Sequence, residues 1–208
     1  MGFYQGSFFC YDEQIITKKE AKKMDRLWIT GFRQHELGVF KEKDPKVEVI
    51  KFALKKVMTH ELENGLNWLI VGGQSGIETW AIEVALELQP EYDDFQIALM
   101  TPFTDFGSNW KEERQTKLSD LKARVNFTQS ISQNKYTDPN QLKQYQRFML
   151  EHTDQAVIFY DDIAENASVR YDVWAAKRYQ ENVDYPVRLI DFDRLQDYAN
   201  EYQENTFY

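Results

Sequence analysis

The sequence predicts a doubly wound α/β domain, a mostly parallel sheet covered by helices on both faces. Apolar runs of four to six residues alternate with amphipathic helical stretches from residue 26 onward. The runs are continuous rather than alternating, as expected of strands buried on both faces. Several end in loops bearing glycine, proline or aspartate, and ligands in such sheets sit beyond the carboxyl ends of the strands.

Taken in order, Arg26 to Thr30 is an apolar, β-prone run that stops at Gly31. Asp44-Pro45 supplies an N-cap and a first-turn proline. Val49/Ile50, Ala53/Leu54, Val57/Met58 and Leu62 then recur at helical spacing until Asn64-Gly65. Asn67 to Val71 is a second buried strand running into Gly72-Gly73-Gln74-Ser75-Gly76. The helix after it carries Ile77, Trp80, Ala81, Val84, Ala85 and Leu88 on one face and closes at Pro90. Phe95 to Met100 is a third strand ending at Thr101-Pro102-Phe103, followed by a charged helix over about Trp110 to Ala123 and a short strand at Val125 to Thr128. Asp138-Pro139 repeats the cap and proline before a helix lined by Leu142, Tyr145, Phe148 and Met149. Ala156 to Tyr160 is the next strand, with Asp161-Asp162 at its end. Ser168 reads as the N-cap of a helix carrying Val173, Trp174 and Tyr179; Pro186 to Ile190 is the last strand and Asp193 to Tyr202 the last helix. The tail's Leu195, Tyr198 and Tyr202 form one apolar face, which favours docking on the core over reaching a partner.

Residues 1–23 lack both periodicities and read as an extension to a single domain over 24–208. Lys19-Glu20-Ala21 is encodable as a purine-rich ribosome-binding sequence just upstream of a codon for Met24. The expectation is therefore that residues 1–23 are translated upstream sequence or a flexible arm. With 25 Lys+Arg against 34 Asp+Glu, the net charge of −9 argues against nucleic acid as the main partner, because phosphate-backbone affinity needs clustered cations. No apolar run approaches the roughly 20 residues that cross a bilayer, and no signal pattern opens the chain, so a soluble, cytoplasmic protein is expected. One cysteine, Cys10, excludes a disulfide framework and a cysteine-based zinc site. His35, His60 and His152 have no ligand spacing, so no metal is expected.

The segment Gly72 to Glu78 joins a buried strand to a helix start. Gly73 and Gly76 there would let backbone approach a ligand, with the first N–H groups of the helix cradling a phosphate. A tight turn needing only glycine geometry explains the same residues equally well. The spacing matches neither the dinucleotide fingerprint nor the phosphate loop of nucleotide hydrolases. Glu78, in the first helical turn, either serves the helix dipole or meets a ribose hydroxyl or a glycosidic bond as general acid/base. It is the one catalytic candidate if the protein is an enzyme. At the other strand ends, Gly31, Phe32 and Arg33, Pro102 and Phe103, and Tyr160 and Asp161 are candidates for the same ligand, with Arg33 either neutralising an anion or forming a surface ion pair. Trp80 and Trp110 are candidates for stacking on a base. Trp80 also lies on the core stripe of its helix, which favours packing, whereas Asn109-Trp110 lies in a loop.

Ile29-Thr30-Gly31-Phe32-Arg33, His35-Glu36-Leu37-Gly38-Val39-Phe40, Gly73-Gln74-Ser75-Gly76-Ile77-Glu78 with Trp80, Thr101-Pro102-Phe103 and Asn109-Trp110 together closely resemble the YpsA family of Gram-positive bacteria. The resemblance spans essentially all of 24–208. It implies a Rossmann-like domain of the SLOG superfamily, alongside the DprA DNA-processing proteins and the LOG phosphoribohydrolases. It also implies a nucleotide or ADP-ribose-like ligand held by a loop of Gly73, Gln74, Gly76 and Glu78, followed by Trp80, with Gly31 and Arg33 in the first strand's loop, and a link to cell division through a protein partner. Related folds often pair through helices, so a homo-oligomer is compatible with it. The LOG pattern P-G-G-x-G-T-x-x-E is altered here: no proline precedes the glycines, two residues separate Gly73 from Gly76, and the threonine is absent. Three readings follow: a nucleotide-binding sensor or regulator, an N-glycosidic or phosphoribosyl hydrolase acting through Glu78, and an interaction module whose loop is structural.

Overall fold

The computed structural model describes residues 25–207 apart from Glu42 and Glu165, and the side chain of Phe207 is likewise outside the description. The expectations for residues 1–23, Met24 and Cys10 lie outside the described residues. Six strands form one all-parallel sheet in the order β4-β3-β2-β1-β5-β6. They are β1 (Arg26–Gly31), β2 (Trp68–Val71), β3 (Gln96–Thr101), β4 (Phe127–Ser130), β5 (Gln155–Phe159) and β6 (Val187–Ile190). The helices are α1 (Pro45–Glu63), α2 (Ile77–Leu88), α3 (Glu112–Arg124), α4 (Asn140–His152), α5 (Arg170–Gln180) and α6 (Phe192–Phe207). The expected doubly wound class is thus the observed one.

Continuous apolar strands are found where the pattern requires them. Leu27, Trp28 and Ile29 at the sheet centre are fully buried, as are Leu69, Val71, Ile97, Leu99, Ile158 and Phe159 in the neighbouring strands. The start of β1 is fixed to the start of β5 by Arg26, whose Nε and Nη2 each donate to an Asp154 carboxylate oxygen at 3.0 Å. Chain direction across the sheet sets the rest. From β1 the strands step outward through β2, β3 and β4, and the chain then crosses back to lay β5 on the other side of β1. That reversal opens a crevice beyond the carboxyl ends of β1 and β5. With right-handed crossovers, α1, α2 and α3 fall on one face. There α1 packs on α2 and α6, and α2 on α3, while α4 and α5 pack on each other.

The helix starts are largely as expected. Asp44 Oδ1 accepts the Lys46 N–H at 3.0 Å with Pro45 in the first turn, and Asp138 Oδ1 accepts the Asn140 N–H at 2.7 Å. The tail docks: Tyr202 of α6 meets Phe52 of α1 edge-on at 5.5 Å, and Glu201 pairs with Lys56. Four readings need correction. Leu142 and Trp174 are exposed, because α4 and α5 bury Gln141, Tyr145, Met149, Leu150, Val173 and Ala176 instead. Ser168 makes no side-chain cap; α5 is capped at Val169, and the Ser168 N–H points to Glu36. The fourth strand starts two residues late and is an exposed edge. Helix α6 runs longer than 193–202 in both directions. Among the described residues no helix is long and apolar enough to cross a membrane.

Candidate functional site

A cavity of about 490 Å³ lies over the reversal between β1 and β5. Its floor comes from Thr30, Gly31 and Arg33 after β1, and from Gly72, Gln74 and Glu78 around the start of α2. Pro102 and Phe106 close one side, and the far wall is α4 and the start of α5, with Leu142, Lys143, Tyr145, Gln146, Val169, Tyr171 and Asp172.

Glu78 is only 4% exposed, and both of its carboxylate oxygens are held. The Thr30 hydroxyl donates to Oε1 at 2.7 Å and the Gln74 N–H to Oε2 at 2.7 Å. Burial pushes the carboxyl above its ordinary range, against the opposing pull of the Gln74 N–H, the Thr30 hydroxyl and the Arg33 charge. Asp172 faces the same space. Its Oδ1 accepts from Gln146 Nε2 at 2.7 Å, and it is pushed up to about 7, first by desolvation and then by the Glu78 charge, with Gln146, Arg33 and Thr30 acting the other way. Arg33 is thus the cation shared by two acids. Its backbone is clamped by Glu36, whose Oε2 accepts the Arg33 N–H at 2.8 Å while Oε1 accepts the Ser168 N–H at 2.7 Å. One carboxylate therefore ties the β1 loop to the start of α5.

Tyr145 completes the polar floor. It is 9% exposed, and its hydroxyl has no hydrogen-bond partner among the described residues. A Cβ on Gly72 would overlap that hydroxyl and stand 2.7 Å from Glu78 Oε2, so both groups crowd onto one point that only glycine leaves open. Burial first, and the charges of Glu78 and Asp172 next, hold the phenol well above its ordinary range.

The glycine loop and the start of α2 turn four N–H groups onto partners within the chain. The N–H groups of Gln74, Gly76, Ile77 and Thr79 are engaged within the chain by Glu78 Oε2, Thr79 Oγ1, Phe32 O and Gln74 O. Gly76 has φ +122, and a Cβ there would stand 2.5 Å from Phe32 O and 2.6 Å from Gln34 N. It is glycine because two backbones meet, in an antiparallel bridge between Arg33 and Gly76. Gly73, at φ +84, faces Leu118 and Leu99.

Of the candidates read from the sequence, the fold brings Gly31, Arg33, Gly72, Gln74, Glu78 and Pro102 into this cavity. Ser75, Trp80 and Trp110 line a second, larger groove of about 770 Å³ along α1, α2 and α3, where Glu83 holds Lys51 at 2.9 Å and Lys117 at 2.6 Å. Phe32 is buried beneath the loop, stacked on Phe192 at 5.3 Å and tilted against Tyr160 at 6.0 Å. Asp161 serves structure, its carboxylate accepting the N–H groups of Ile163 and Phe192. Phe103 packs on Phe106 and Tyr136, and Asn109 Oδ1 accepts the Ser108 hydroxyl. Sequence reading missed Thr30, Tyr145, Gln146 and Asp172. Thr30 was visible as a polar residue closing an apolar strand; the other three look like ordinary helix residues.

The family model YpsA, described as the YspA SLOG family, matches residues 27–195. Several relatives bear the name UPF0398 protein. That of Levilactobacillus brevis is 52% identical over 183 residues, covering 88% of this chain and 96% of the relative. That of Leuconostoc citreum is 48% identical over 181 residues (87% and 95%), and that of Latilactobacillus sakei 49% identical over 181 residues (87% and 97%).

Proposed function

From the premise that the chain belongs to the YspA SLOG family, we propose that the cavity over β1 and β5 binds a nucleotide-derived ligand of the ADP-ribose kind, and that the protein acts as a sensor or regulator. The observation that carries this reading is the division of the cavity into a polar floor and an apolar rim. Thr30, Glu78, Asp172 and Tyr145 offer hydroxyl-binding groups, Arg33 and Lys143 offer positive charge for phosphate, and Leu142, Val169 and Tyr171 offer a surface for a base. Anion recognition in this reading rests on Arg33, because the amides of Gln74, Gly76, Ile77 and Thr79 already have partners. As the family resemblance implies, the bound state is passed on to a cell-division partner.

The test is a thermal-shift screen against NAD, ADP-ribose, AMP and cyclic dinucleotides. A ligand-specific rise in Tm is expected, lost in Arg33→Met when each shift is read against that variant's own unliganded melting curve. No shift with any compound at millimolar concentration overturns the reading. A second reading, hydrolysis of an N-glycosidic bond, is favoured by one observation: two carboxyls with raised proton affinity share the cavity. Here water adds to the anomeric carbon while the departing base takes a proton. Chromatography of the stabilising ligand separates the two, since a sensor leaves it intact.

A further inference from the structure

We propose that this site selects a ribosyl ligand over its 2′-deoxyribosyl counterpart, with the Tyr145 hydroxyl and the Asp172 carboxyl reading the sugar hydroxyls beside Glu78. The inference rests on the nucleotide reading above and deepens it.

Two independent observations support it. The first is the orphaned Tyr145 hydroxyl. A buried hydroxyl without a partner carries the full desolvation penalty of a polar group, and it adjoins Glu78 at the floor of a cavity rather than inside the apolar core. The second is the pattern of satisfied and unsatisfied positions around it. Glu78 accepts from the Thr30 hydroxyl and the Gln74 N–H, with the Gly72 N–H also near it, and Asp172 accepts from Gln146 with the Thr30 hydroxyl near it. A carboxylate has about four acceptor sites, so both keep capacity for a further donor. Each hydroxyl of a vicinal diol brings one donor and two acceptor sites. The two acids accept the two donors, while the Tyr145 hydroxyl and the Arg33 guanidinium donate back. A 2′-deoxy sugar removes one of these hydroxyls and leaves buried polar groups of the site unmatched, which is the situation in which a hydrogen-bonding pocket discriminates best. Gly72 belongs to the same device, because any larger residue would fill the point that the phenol and Glu78 share.

Calorimetric titration with AMP, 2′-deoxy-AMP, ribose 5-phosphate and 2-deoxyribose 5-phosphate tests this on the wild-type protein and on Tyr145→Phe. The wild type is expected to prefer each ribo form about ten-fold or more, the ratio set by one lost hydrogen bond to a buried group. In Tyr145→Phe, AMP should weaken about ten-fold while 2′-deoxy-AMP is unchanged, so the ratio falls toward one. Equal binding of ribo and deoxy forms by the wild type overturns the proposal without needing any variant, and leaves the nucleotide reading standing. A full ratio retained in a folded Tyr145→Phe removes Tyr145 from the role. If neither nucleotide nor sugar phosphate binds the wild type, the nucleotide reading fails, and this proposal with it.

Discussion

The glycine loop after β2 and the α4–α5 wall face each other across one cavity, yet they treat their polar groups in opposite ways. In the loop, donors at Gln74, Gly76, Ile77 and Thr79 are matched within the chain, and the glycine at 76 exists so that two backbones can touch. In the wall, Tyr145 carries an unmatched hydroxyl and Asp172 an acid lifted to about 7. A region whose polar groups are satisfied internally builds the site; a region whose groups are not satisfied is poised to recognise something. The most conspicuous sequence motif is the former kind.

The widest separation between the two regions should come from Gly76→Ala. It combines a left-handed backbone with a Cβ against the Phe32 carbonyl and the Gln34 amide, neither of which can move aside. A loss of about 3 kcal/mol or more is expected, lowering Tm by about 6–12 °C; a melting curve within about 2 °C of wild type would break the comparison. Gly72→Ala should come next, at about 1–3 kcal/mol, because its methyl group overlaps the Tyr145 hydroxyl. Much of that loss should be recovered in the Gly72→Ala/Tyr145→Phe double variant, and additive losses in a double-mutant cycle would refute the contact. On its own, Tyr145→Phe should leave the unliganded protein as stable as wild type or more stable by about 1 kcal/mol, since it removes an unpaired buried hydroxyl; chemical denaturation reads this directly.

The remaining effect is a slope. Asp172 titrates near 7 in the folded chain and near 4 when unfolded, so between those values the folded state holds the extra proton. Its stabilising contribution is complete below about pH 4 and lost as pH rises through about 7. The Tm of wild type minus that of Asp172→Asn should therefore fall between pH 5 and pH 8, and a difference independent of pH would show that Asp172 is not desolvated in the α4–α5 wall.

How much of this was legible in the sequence follows from where each signal resides. The strands, the Asp44-Pro45 and Asp138-Pro139 helix starts and the docked tail are local patterns, and they appear where periodicity places them. Gly31, Arg33, Gly72, Gln74 and Glu78 follow strands, which a doubly wound sheet gathers at one edge. Tyr145 and Asp172 were opaque for the opposite reason. At helical spacing Tyr145 is one more apolar-face residue and Asp172 one more acid in a first turn; only the return of the chain to β5 brings α4 and α5 over β1. The clamp by Glu36 reaches Ser168, 132 positions away, and no local pattern encodes such a distance.

The Arg33–Gly76 bridge does more than close a turn. Extended residues point alternately to opposite sides, and here Arg33 and Gln74 look into the smaller cavity while Gln34 and Ser75 look into the larger groove. The two spaces are divided by a party wall one backbone pair thick, cross-tied by the Ser75 hydroxyl donating to Gln34 Oε1 at 3.0 Å. A side chain at position 76, pressing on the Phe32 carbonyl and the Gln34 amide, would therefore disturb the lining of both chambers at once.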